Sequence, residues 1–102
     1  MEIEIRYFDD CPNWRLTASR IEQVVSDLGI DAELSLVRVD SPKKAERMRF
    51  RGSPTVLVDG VDPWGNPDAP VGLGGRVYRT ESGFAGSPSE AQLRDVIATA
   101  AS

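Results

Sequence analysis

Histidine is missing altogether from this chain of 102 residues, and cysteine occurs once, as Cys11. The first absence removes the usual general base near neutral pH and the commonest metal ligand, which argues against Cys–His catalysis and against a metal site. The second rules out an internal disulfide and fits a reducing, cytoplasmic setting. Long apolar runs are also lacking: none approaches the ~20 residues that cross a bilayer. The opening Met1-Glu2-Ile3-Glu4-Ile5 shows no basic, apolar, small-residue progression of an export signal. Positive charge is in the minority. Twelve Lys and Arg stand against sixteen Asp and Glu, a net charge of −4, so neither nucleic acid nor a membrane is an expected partner. The densest basic group, Lys43 to Arg51, reads as the solvated face of a helix.

What is present reads as one domain over residues 1–102, large enough for a single modest core. Ile3, Ile5 and Tyr7 alternate with Glu2, Glu4 and Arg6, which predicts a strand over residues 2–8. Asp9 and Asp10 break it and read as a solvated turn. Cys11 then precedes Pro12, a residue suited to the first helical position because it has no N–H to leave unpaired. Apolar residues at 14, 18, 21, 24, 25 and 28 repeat with the helical period, and Gly29 supplies the stop. Cys11 is thereby expected at a helix N-terminus.

Residues 32–39 predict a second strand, and Ser41-Pro42 opens a short helix through Phe50 with Ala45 and Met48 inward. A third strand is expected over Thr55 to Asp59. The stretch 60–75 is rich in glycine and proline, carries Trp64, and is long for a connection. A short fourth strand over Arg76 to Arg79, a turn over Gly83 to Gly86, and a capping box at Ser87-Pro88-Ser89-Glu90 follow. The last helix should bury Leu93, Val96, Ile97 and Ala100. Gly72-Leu73-Gly74-Gly75 precedes a strand instead of opening a helix, so it does not read as a phosphate-binding loop. No cofactor motif is evident.

Two stretches look chemical: Phe8-Asp9-Asp10-Cys11-Pro12-Asn13-Trp14, and Gly52-Ser53-Pro54-Thr55 starting 41 residues after Cys11. Together they resemble the thioredoxin superfamily, in which a strand runs into a cysteine at a helix start and a later Gly-x-Pro-Thr carries a cis-proline beside the thiol. The resemblance covers nearly the whole chain. It implies an α/β thioredoxin fold, β-α-β-α-β-β-α, with a four-stranded mixed sheet and helices on both faces. It also implies that Cys11 is the nucleophile, that Pro54 is cis, and that Ser53, Pro54 and Thr55 hold an extended peptide or a glutathione-like thiol. Pro12 and Trp14 flank the thiol, and Trp64 is either a cap on a hydrophobic edge or one wall of a ligand groove beside Cys11. Trp14 reads as a core anchor of the first helix before it reads as a substrate platform.

The chain departs from that family where Trp14 stands in place of the second cysteine of Cys-x-x-Cys. An internal disulfide cycle is therefore impossible. Short proteins resembling this one carry a cysteine just before the Arg-x-Tyr-Arg strand, where Gly74-Gly75 stand here. Monothiol chemistry stays open, with a low-molecular-weight thiol or a protein thiol as partner. A helix N-terminus favours the thiolate at Cys11, Asp9 and Asp10 oppose it, and the sequence leaves that balance open. Two alternatives remain beside it: a non-enzymatic binding module that keeps the proline groove, and capture of soft metals or electrophiles by Cys11.

Overall fold

A computed structural model describes all of residues 1–102 and gives a mixed α/β chain with eight elements. They are β1 (Glu2–Tyr7), α1 (Trp14–Leu28), β2 (Glu33–Arg38), α2 (Pro42–Met48), β3 (Thr55–Val58), β4 (Tyr78–Thr80), β5 (Gly83–Ala85) and α3 (Glu90–Ala101). The Ile3, Ile5 alternation places both side chains on one face of β1. That strand sits centrally, in the order β2-β1-β3. β2 runs parallel to it, with Ile3 opposite Leu34, and β3 runs antiparallel, with Ile3 opposite Val58 and Ile5 opposite Val56. The parallel β1–β2 pair requires a crossover, which α1 provides.

α1 and α3 cover the same face of this sheet. Ile3, Ile5, Val56 and Val58 meet Ile21 and Val24 of α1 and Leu93 and Ile97 of α3 in one buried core. Gly29 closes α1 in the left-handed region; its N–H reaches back to the Ser26 carbonyl, and the Ile30 N–H to that of Val25. α2 makes its own cluster, separate from that core. Its Ala45 packs with Val39 and Phe50, and Phe8 and Met48 close around them. No helix is long and apolar enough to cross a membrane.

Five sequence expectations need correction. The sheet has three strands, not four; Tyr78–Thr80 turns away and forms a separate hairpin with Gly83–Ala85. The only trace of a fourth strand is a parallel bridge of Gly75 to Ser53. Side chains, not backbone, then continue the contact, because Tyr78 sends its hydroxyl to the Pro54 carbonyl. The turn expected at Gly83 to Gly86 is instead largely β5, with the reversal at Glu81 and Ser82. The capping box lies two residues later than expected. Ser89 accepts from the Gln92 N–H at 3.1 Å and the Gln92 side chain accepts from the Ser89 N–H at 3.0 Å, while Ser87 is buried with its hydroxyl 2.7 Å from that of Thr17. Helix α1 begins at Trp14, so Pro12 stands in the turn before it. In α3, Leu93 and Ile97 are buried, Val96 is half-buried and Ala100 is exposed.

Candidate functional site

Cys11 lies in the turn that leaves β1. Its N–H donates to the Phe8 carbonyl at 3.1 Å, which folds Asp9 and Asp10 outward into solvent. The Phe8 N–H in turn donates to Ser53 Oγ at 3.3 Å. A residue three positions before the thiol is thus tied to the residue just before Pro54. The Ser53–Pro54 peptide is cis. Ser53, Pro54 and Thr55 are all buried, and Cys11 itself is 5% exposed.

The helix that follows is not capped by a side chain: Asn13 is the N-cap and makes no such bond. The first backbone bond of α1 runs from the Thr17 N–H to the Asn13 carbonyl, so the amides of the first turn have no partner within the helix. Trp14 stacks on Tyr7 with centroids 4.3 Å apart, packs against the main core, and carries Arg15 over its ring. Pro12 is exposed beside the thiol.

Tyr78 completes the surroundings of Pro54. It is 2% exposed, and its hydroxyl donates to the Pro54 carbonyl. Burial pushes the Tyr78 phenol well above its ordinary range; the Arg76 guanidinium opposes this, and charges on Asp62 and Cys11 add to it. Arg76 lies over the Tyr78 ring at 4.8 Å. It also makes a bidentate pair with Asp62, at 2.6 and 3.1 Å, and donates to the Trp64 carbonyl and to Thr55 Oγ1. Trp64 meets Tyr78 edge-on, with centroids 5.7 Å apart.

This arrangement straps the stretch after β3 across the proline loop. The Gly72 N–H donates to the Phe50 carbonyl, the Ser53 N–H to the Gly74 carbonyl, and the Arg76 N–H to the Ser53 carbonyl. Both backbone groups of Ser53 are consequently engaged within the chain. Trp64 lines a cavity of about 450 Å³ with Arg51, Leu73, Gly74 and Val77; Cys11 is not among its walls. Of the residues singled out from sequence, Cys11 and Ser53 both bond to Phe8, Pro54 bonds to Tyr78, and Thr55 follows in the same buried loop; Pro12 adjoins Cys11 in the turn, Trp14 packs on Tyr7 and the main core, and Trp64 looks onto the cavity. No group of three or more Cys, Asp or Glu side chains converges as a metal site.

Sequence reasoning missed Phe8, Asp62, Arg76 and Tyr78. For Asp62 a signal exists: Asp62-Pro63-Trp64-Gly65 is turn chemistry, and the Trp64 N–H indeed donates to Asp62 Oδ1 at 3.0 Å. No family model matches the chain, and neither the curated proteins nor the solved structures give a significant match.

Proposed function

We propose that the protein is a monothiol thioredoxin-like protein in which Cys11 forms mixed disulfides with a small thiol or a protein thiol. One observation carries the reading. Residues more than forty positions apart in sequence meet at one place, with Cys11 bonded to Phe8, Phe8 to Ser53, and the Pro54 carbonyl to Tyr78. The parallel β1–β2 crossover and the antiparallel β3 support the thioredoxin-like reading of the fold.

In the proposed reaction, the Cys11 thiolate attacks one sulfur of an external disulfide. A Cys11–sulfur bond forms, the external S–S bond breaks, and the other half leaves as a thiolate. A second external thiol then attacks the adduct and releases Cys11, because the chain has no resolving cysteine. The uncapped first turn of α1 supplies backbone N–H groups on the side of the chain where the thiol sits.

The burial of Cys11 favours a second reading, a binding module without turnover. Exposure to glutathione disulfide, followed by intact-protein mass spectrometry, separates the two. The monothiol reading expects one glutathionyl adduct on the folded protein, its loss on adding dithiothreitol, and none with Cys11→Ser. An adduct that forms only in denaturant would overturn it and leave the binding module.

A further inference from the structure

A second cavity, of about 380 Å³, opens between the end of α2 and the stretch 62–67, and Cys11 is not among its walls. Three arginines line it: Arg6 from β1, Arg49 from the end of α2, and Arg51 just beyond it. That is a quarter of the Lys and Arg of an acidic chain around one small space.

The charges do not cancel. Arg6 is paired with Glu4. The one carboxylate on the wall, Asp62, has both oxygens held by Arg76. Arg49 and Arg51 have no ion-pair partner; Arg51 spends one of its five donors on the Ala69 carbonyl. Asn66 accepts from the Asp68 N–H through Oδ1, which leaves its amide NH₂ without a protein acceptor. Phe50 and Leu57 supply apolar wall.

We propose that this cavity binds the phosphoryl group of a small phosphomonoester. Two uncompensated guanidinium groups match one phosphoryl dianion in charge, and the guanidinium fork matches it in geometry. A neutral donor from Asn66 adds direction. Arg51, Asp62 and Asn66 also border the larger Trp64 cavity, so the organic part of the ligand extends past Arg51 towards Trp64. The cavity shares only the wall residue Thr55 with the thiol site; Arg49, Arg51 and Asn66 take no part in the thiol reaction, and the proposal stands independently of it.

Titration of the ¹⁵N-labelled protein at low salt, with inorganic phosphate, phenyl phosphate and benzoate, tests this. Both phosphates should give saturable shifts at Arg49, Arg51 and Asn66, with phenyl phosphate alone also moving the Trp64 indole. Benzoate, with one charge, should bind about tenfold more weakly than phenyl phosphate, and added salt should weaken all three. Arg49→Gln should weaken phosphate binding about tenfold. It is the deciding variant because Arg49 is exposed and its side chain holds no other element. Arg79→Gln, on β4, should change nothing. Non-saturating shifts spread over all the basic residues, or equal binding by the protein and its Arg49→Gln form, would overturn the proposal.

Discussion

Tyr78 concentrates more than one kind of interaction in a single side chain. Its ring meets Trp64 edge-on and lies under the Arg76 guanidinium, and its hydroxyl satisfies the Pro54 carbonyl. Removing that hydroxyl leaves a buried acceptor unpaired, a loss of about 1–2 kcal/mol. Tyr78→Phe should therefore lower the unfolding free energy in urea by that amount. A second effect follows from the raised phenol. The folded chain holds the proton more tightly than the unfolded chain, so the stabilisation is complete below the ordinary tyrosine range near pH ~10. It declines as pH rises from there towards the folded-state value, because only the unfolded state then releases the proton. Urea midpoints measured from about pH 8 to about pH 11 should fall less steeply for Tyr78→Phe than for the parent chain. Equal slopes would mean that the phenol ionises without unfolding.

Among elements, the strap over residues 72–76 depends on one glycine. Gly52 has φ +121°, and a Cβ there would stand 2.8 Å from the Arg76 Cβ. Gly52→Ala should cost about 1–3 kcal/mol by combining backbone strain with that clash. It should also shorten the hydrogen-exchange lifetimes of the Ser53 and Arg76 amides, whose bonds lie along the strap. Gly60→Ala is the internal comparison: its φ is +84° but nothing lies within 4 Å of the added carbon. It should destabilise less and leave those two amides protected. If both variants lose protection equally, Arg76 is not held by its fit against Gly52.

The same elements show what could be read from sequence. The apolar repeat of α1 and the alternation of β1 act over a few residues, so each was legible and each landed within two residues. The last helix was legible too, but two serines competed for its cap, and the buried Thr17–Ser87 contact decided in favour of Ser89. No local pattern could choose between them. At the site, Cys11 and the Ser53-Pro54-Thr55 stretch announced themselves through a thiol and a turn-and-strand signature. Phe8, Arg76 and Tyr78 did not, because their roles come from tertiary contacts made by ordinary-looking residues, and for Asp62 only its turn was legible. The fourth strand failed for that reason: Arg76 keeps a single backbone bond to Ser53, and Tyr78 reaches Pro54 through its hydroxyl.

For the molecule as a whole, a radius of gyration of 12.9 Å matches the ~13 Å of a compact domain this size. Eight buried residues from two neighbouring strands and two helices make the main core. Such domains hold only about 5–15 kcal/mol in all. Truncating Ile97, which is 0% exposed, should remove about 2–5 kcal/mol. Ile97→Ala should thus lower the thermal midpoint sharply, whereas Ala100→Gly on the exposed side of α3 should cost about 1 kcal/mol or less. Similar losses from both would show that α3 is not docked through Ile97.

Because α3 supplies Leu93 and Ile97 to a core whose other members come from residues 3–58, the order of synthesis matters. Ribosomes deliver roughly 5–20 residues each second. While residues 59–97 are being added, Ile3, Ile5, Ile21 and Val24 have emerged without the helix that covers them. For those seconds the nascent chain presents an apolar face that the finished fold covers. The final helix is the latch that ends that exposure.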